Sequence, residues 1–201
     1  MEVAAEFGAQ PPAAIDSEEI LHHAKRAVLD WHAAAIPGAV QAPPVLLEKV
    51  LADELDRGPS ALVLGRRATT RAAAFLDGTA AHTVEVDDIF KQAIYHPGAP
   101  TIAAARAVAR EVGASGRDFL RATTVGYEIS TRIGAAMGRA HYRYWHNTGT
   151  VGAFGAAAAA AVLYRLDAGR FAHALATVAT FAAGLQQAFR MDSMSKPMHA
   201  G

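Results

Sequence analysis

The stretch DFLRATTVGYEISTRIGAAMG, residues 118–138, decides the fold class. Phe119, Leu120, Val125, Tyr127, Ile129, Ile133 and Met137 recur at helical spacing yet leave no clean polar stripe. A helix that is apolar on more than one face is wrapped by other helices. Its neighbour TVGAFGAAAAAAVLYRL, residues 150–166, is rich in alanine and is broken by Gly152 and Gly155. It is too short and too weakly apolar to cross a bilayer, so it reads as a buried helix whose small side chains let its neighbours come close.

Further helices follow on either side. DSEEILHHAKRAVLDWHAAAIPG, residues 16–38, places Asp16 as N-cap with Glu19 three residues on, then Ile20, Ala24, Ala27, Val28, Trp31 and Ala35 at helical period until Pro37-Gly38. PPVLLEKVLADELDRG, residues 43–58, repeats the pattern with Leu47, Val50, Leu51 and Leu55. The periodicity predicts helices near 69–86, 99–112, 116–138, 149–165 and 167–189. Only SALVLG, residues 60–65, could pass for a strand, and alone it builds no sheet. The expected fold is all-α, a multi-helix globular domain over residues 16–201 behind a flexible N-terminus at 1–15.

Composition narrows the function. Of 201 residues 52% are hydrophobic and 19% charged, enough for a sizeable core. Lys+Arg and Asp+Glu both number 19, so no broad basic surface argues for nucleic acid or an anionic membrane, and a small-molecule or protein partner is expected. The absence of cysteine excludes disulfides, a thiolate nucleophile and a cluster held by the chain's own thiolates. MEVAAEFGAQPPAAID lacks the basic start and apolar run of a signal peptide, which reads as a cytoplasmic protein.

The chemistry collects in the breaks between helices. In HTVEVDDIFKQAIYHPGAPT, residues 82–101, Glu85, Asp87 and Asp88 precede His96 and a helix start. An imidazole beside a helix N-terminus suits a substrate carboxylate. HYRYWHNTGTVG, residues 141–152, repeats the arrangement with His146. SMSKPMHAG brings Lys196 and His199 after a long helix. His22, His23, His32, His141 and His173 read as ordinary structural histidines, whereas His82 shares the acidic segment and stands between the two readings. No HxxxH or HxxE spacing turns Asp87, Asp88, His96 and His146 into a metal site, so no metal is expected.

AAFLDGTAAHTVEVDDIF…HPGAPTIAAARAVA, GYEISTRIG, WHNTGTVGAFGAAAAAAVL and SMSKPMHAG, in this order, resemble the MmgE/PrpD family of 2-methylcitrate dehydratases and cis-aconitate decarboxylases. The resemblance implies a helical domain with a smaller α+β lid, and lyase or isomerase chemistry on small di- or tricarboxylates without metal or iron–sulfur cluster. It implies a homodimer. It assigns catalysis to His96, His146 and Lys196, and substrate contacts to Glu85, Asp88 and His199. Where decarboxylase-like members carry DFDDT this chain has EVDDI, so a substrate other than cis-aconitate is expected. The lid lies outside these 201 residues. A split enzyme, completed by a second polypeptide or by a copy of itself, is therefore expected, with a non-catalytic helical remnant as the alternative.

Overall fold

The computed structural model describes residues 1–201. Its helices are α1 (Glu2–Ala9), α2 (Glu18–Gly38), α3 (Pro44–Val50), α4 (Thr70–Ala81), α5 (Gly98–Val112), α6 (Gly116–Tyr142), α7 (Asn147–Leu163), α8 (Ala168–Phe181), α9 (Gln186–Arg190) and α10 (Ser195–Met198). The only sheet is an antiparallel pair, β1 (Leu55–Ala61) with β2 (Arg67–Ala68).

The middle of the domain is the packing of α5, α6 and α7, and small residues make it possible. A Cβ on Gly126 of α6 would lie 2.7 Å from the Gly155 carbonyl oxygen of α7, and a Cβ on Gly155 would lie 2.3 Å from Thr101 Oγ1 of α5. Both distances are below van der Waals contact, so three backbones cross here only because neither position carries a side chain. The doubly apolar face read from residues 118–138 is accounted for: Val125 and Ile129 of α6 pack with Phe171 and Leu175 of α8 and with Ala158 and Ala161 of α7. On the other side Trp31 of α2 is buried with Ala99, Ile102 and Ala103 of α5.

Ala200 is buried in that second cluster, which docks the C-terminal segment against α4 and fixes where Lys196 stands. Asp77 of α4 joins the same layers: its carboxylate accepts from Arg106 Nη1 of α5 at 2.6 Å and from the Val63 amide at 2.9 Å. No helix is long and apolar enough to cross a membrane.

Several boundaries differ from the sequence reading, each for a local reason. Residues 1–15, read as flexible, contain α1 and a 3-10 turn at Ala13–Asp16, because Ala5 and Ile15 are buried against Phe171 and Leu175. Ser17, not Asp16, caps α2 by accepting from the Ile20 amide, and Asp16 pairs instead with Arg121 across the chain. The helix expected to reach Gly58 stops at Val50. Pro59 removes a donor, Asp56 and Gly58 take positive φ, and Leu55 turns into a core with Leu62, Ala72 and Leu76 as part of the hairpin. The strand thus falls at 55–61 rather than 60–65. Helix α8 ends at Phe181 instead of 189, with Gly184 at φ 127° in the break.

Helix α6 starts with a reciprocal cap: Ser115 Oγ accepts from the Asp118 amide at 3.1 Å, and Asp118 Oδ2 accepts from the Ser115 amide at 3.3 Å. Ser115→Ala is expected to lower stability by about 1 kcal/mol. In thermal unfolding that corresponds to a fall in Tm of about 2–4 °C. An unchanged Tm would show that water replaces the cap at no cost.

Candidate active site

Four helix ends converge on one spot. Helix α4 ends at Ala81 and leaves His82 at its C-cap position, not inside a helix running to 86 as the periodicity predicts. The chain then loops through Asp87, closes a bridge between Phe90 and Tyr95, and enters α5 just after His96. His146 is the N-cap residue of α7, its amide donating to the Gly184 carbonyl at 2.8 Å. Thr148 of α7 ties the two helix mouths together by accepting from the His96 amide at 3.2 Å. Lys196 sits on α10 and His199 at its C-cap.

The side chains meet around Asp87. His82 is fully buried and its Nδ1 lies 2.9 Å from Asp87 Oδ2, while His96 Nδ1 lies 3.3 Å from the same oxygen. His82 Nε2 lies 3.3 Å from His146 Nε2, and His146 Nδ1 lies 3.2 Å from His199 Nδ1. Lys196 lies over the Phe189 ring at 4.2 Å and pairs with Glu85, whose backbone holds φ 58°. Four histidines, one aspartate, one glutamate and one lysine thus form a single cluster that five of the six sequence candidates join.

Asp88 is the exception. Its Oδ1 accepts from the Gly98 amide at 3.0 Å and its Oδ2 from the Tyr127 hydroxyl at 2.8 Å. Those bonds hold the start of α5 against α6, so the carboxylate assigned to substrate is occupied within the fold. Asp87, not Asp88, is the aspartate that meets the histidines. The metal set Asp87, Asp88, His96 and His146 is therefore not brought together as drawn. Ligand atoms of His82, Asp87 and His96 do lie within 4.8 Å of one another. There, however, His82 and Asp87 meet directly at hydrogen-bond distance.

Burial sets the charges. It favours protonation of Asp87, but hydrogen bonds and charge from His82 and His96 outweigh it and bring the carboxyl down to about 2. Burial holds His82 below its ordinary value despite the aspartate. Burial, then the neighbouring His82 and His199, pulls His146 down to about 3. Burial also acts against charge on His96, yet the Asp87 hydrogen bond and charge prevail and raise it. Lys196 is drawn down to about 8 by burial. Two imidazoles that share a neighbourhood are thus poised oppositely, His146 neutral and His96 favouring the cation.

This is a mostly helical domain with a buried imidazole–carboxylate cluster and one buried lysine, a set of groups able to take and give protons and to hold an anion. The chain belongs to the MmgE/PrpD family: the profile of the MmgE/PrpD N-terminal domain matches residues 4–201. It is 31% identical over 192 residues to the cis-aconitate decarboxylase-like protein oryM of Aspergillus oryzae, a match covering 90% of this chain and 40% of that protein. It is 34% identical over 134 residues to human cis-aconitate decarboxylase, covering 64% of this chain and 27% of that protein. The chain thus spans less than half the length of these relatives.

Proposed function

We propose that this domain carries the acid–base half of a cofactor-independent lyase or isomerase acting on a small di- or tricarboxylate. The observation that carries the reading is the opposite poise of His146 and His96 around Asp87. In a dehydration or an epimerisation His146, held neutral, takes a proton from the carbon next to a carboxylate; in a decarboxylation no carbon proton is removed, and the electrons of the breaking C–C bond form the carbanion. His96, held protonated, gives its proton to the departing hydroxide in a dehydration, or to the carbanion left when carbon dioxide departs in a decarboxylation. Lys196 and the free amides at the mouths of α5 and α7 hold the carboxylates and the charge that accumulates in the enolate-like transition state. Glu85, paired with Lys196 in the free protein, gives way to the substrate's carboxylate.

A partner completes this site. Phe181, Leu185 and Met191 are 76%, 57% and 69% exposed, and the last two line an open cleft of about 830 Å³ that reaches His199. Apolar surface of this kind is usually covered. The occupant is a second copy or a polypeptide supplying the remainder of the relatives' length. Light scattering is expected to give a mass above the 21.1 kDa of one chain, alone or on mixing. A monomer that ignores both occupants would dispose of this part.

The test of function is turnover on a panel of small polycarboxylates, followed by proton and carbon dioxide release, with the partner present. kcat/KM is expected to fall as pH rises through about 8, where Lys196 loses its charge, with His96 losing its proton in the same direction. A rate that still climbs above pH 9 would contradict both assignments. A chain inert towards every polycarboxylate, with and without partner, would leave the non-catalytic helical reading.

A further inference from the structure

His82 is the most buried side chain of the cluster, and proton transfer as described above does not use it. Its two nitrogens are both engaged, Nδ1 with Asp87 Oδ2 at 2.9 Å and Nε2 with His146 Nε2 at 3.3 Å. The rings of His82 and His146 lie within 15° of parallel with centroids 5.3 Å apart. The two nitrogens therefore lie between the ring centres, and the rings meet edge to edge, as a shared proton requires, rather than face to face.

Donor and acceptor roles then follow in sequence. An ionised carboxylate only accepts, so His82 Nδ1 carries a proton. A neutral imidazole has one donor and one acceptor, so His82 Nε2 is the acceptor and His146 Nε2 carries the proton between them. His146 Nδ1 is left with the lone pair, and His199 Nδ1, 3.2 Å away, donates to it. His199 Nε2 has no partner in the protein, and His199 lines the cleft.

We propose that His82 is a positioning residue, which with Asp87 fixes the tautomer of His146 so that its lone pair is on Nδ1, facing His199 and the cleft. The proposal rests on the reading of His146 as the base. The chain Asp87–His82–His146 works as carboxylate partners of histidine do elsewhere, by holding one ring nitrogen protonated and thereby presenting the other. An extra imidazole is interposed, which moves the carboxylate's influence one ring further out. His199 holds the lone pair in the free protein and yields it to the substrate.

The decisive experiment reads the tautomer rather than the rate. Nitrogen NMR on the folded chain labelled with 15N-histidine, near pH 7.5, is expected to show His146 protonated at Nε2 and bare at Nδ1. His82→Phe keeps the ring volume and removes both bonds, so this preference is expected to disappear in it. In His82→Gln the amide can donate to Asp87 and accept from His146, and the preference is expected to remain. A proton on Nδ1 of His146 in the unsubstituted protein, or an unchanged tautomer in His82→Phe, overturns the proposal. Where turnover is measured, His82→Phe is expected to lose kcat by about 10- to 100-fold with KM little changed, and His82→Gln to recover most of it. If His82→Phe keeps full kcat while its Tm falls, the residue is only structural. The predicted tautomers in a protein that turns over no polycarboxylate would support the relay while removing the catalytic reading, so the two fail separately.

Discussion

Replacing His146 with glutamine is expected to lower kcat by about 100- to 10,000-fold, the range in which a positioned acid or base contributes. The size follows from what glutamine keeps. The side chain retains most of the volume in a position that is 2% exposed and can still accept or donate one hydrogen bond, but it has no basic nitrogen. The start of α7 does not depend on the imidazole, because His146 makes no side-chain cap and the turn is held by its backbone bond to Gly184 and by Asn147 Nδ2 donating to the Ala93 carbonyl. Loss of rate should therefore come without loss of fold. His96→Gln is expected to fall by a similar factor, and the double variant by little more than either alone, because the two groups act as one acid–base pair in the same reaction. Steady-state kinetics with a thermal melt on each variant decides it. Full turnover in His146→Gln would remove His146 from the mechanism.

The long helices were legible because periodicity is a property of the local chain. Helices α5, α6 and α7 begin and end close to where apolar spacing, capping residues and glycines put them. The exceptions were decided by partners far along the sequence. Asp16 looks like a cap beside Glu19, but Arg121, 105 residues away, takes it, and Ser17 caps instead. Residues 1–15 read as a flexible N-terminus, and it is the packing of Ala5 and Ile15 on Phe171 and Leu175 of α8 that holds them.

The site divides in the same way. His96 and His146 were legible because they stand at helix mouths, where unpaired amides make chemistry plausible. His82 is set apart in the sequence only by sharing the acidic segment, which leaves its role open; its importance lies in Asp87, five residues on, and in His146, which is 64 residues away. Which of two adjacent aspartates turns inward to the histidines is settled by the path of the loop, including the positive φ of Glu85. No periodic pattern in the sequence records that path.

The same burial that poises the histidines should make the fold sensitive to acid. His146 titrates near 6.5 when the chain is unfolded and at about 3 when folded. In that interval the unfolded chain binds a proton that the folded chain refuses. The stability associated with neutral His146 is thus complete above about 6.5 and is lost as pH falls from there towards 3. At about 1.4 kcal/mol per pH unit, moving from pH 7 to 4.5 removes about 3 kcal/mol, a large share of the 5–15 kcal/mol typical of a domain. His82 and His199, also held down by burial, act in the same direction. His96 has the opposite sign, since its raised value gives stability that is complete below about 6.5 and lost at higher pH, so it gives no protection in the acid range. Asp87 begins to contribute only below its unfolded value near 3.9, again by losing stability with acid. Urea unfolding at pH 7 and 4.5 measures the total, and the same pair of experiments on His146→Gln isolates one group, because every other titration is shared. The variant's stability is expected to fall by about 3 kcal/mol less over this range than the parent's. Equal pH dependence in the two proteins would mean that His146 is not buried in its neutral form, and with that the base assigned to this site would have no physical basis.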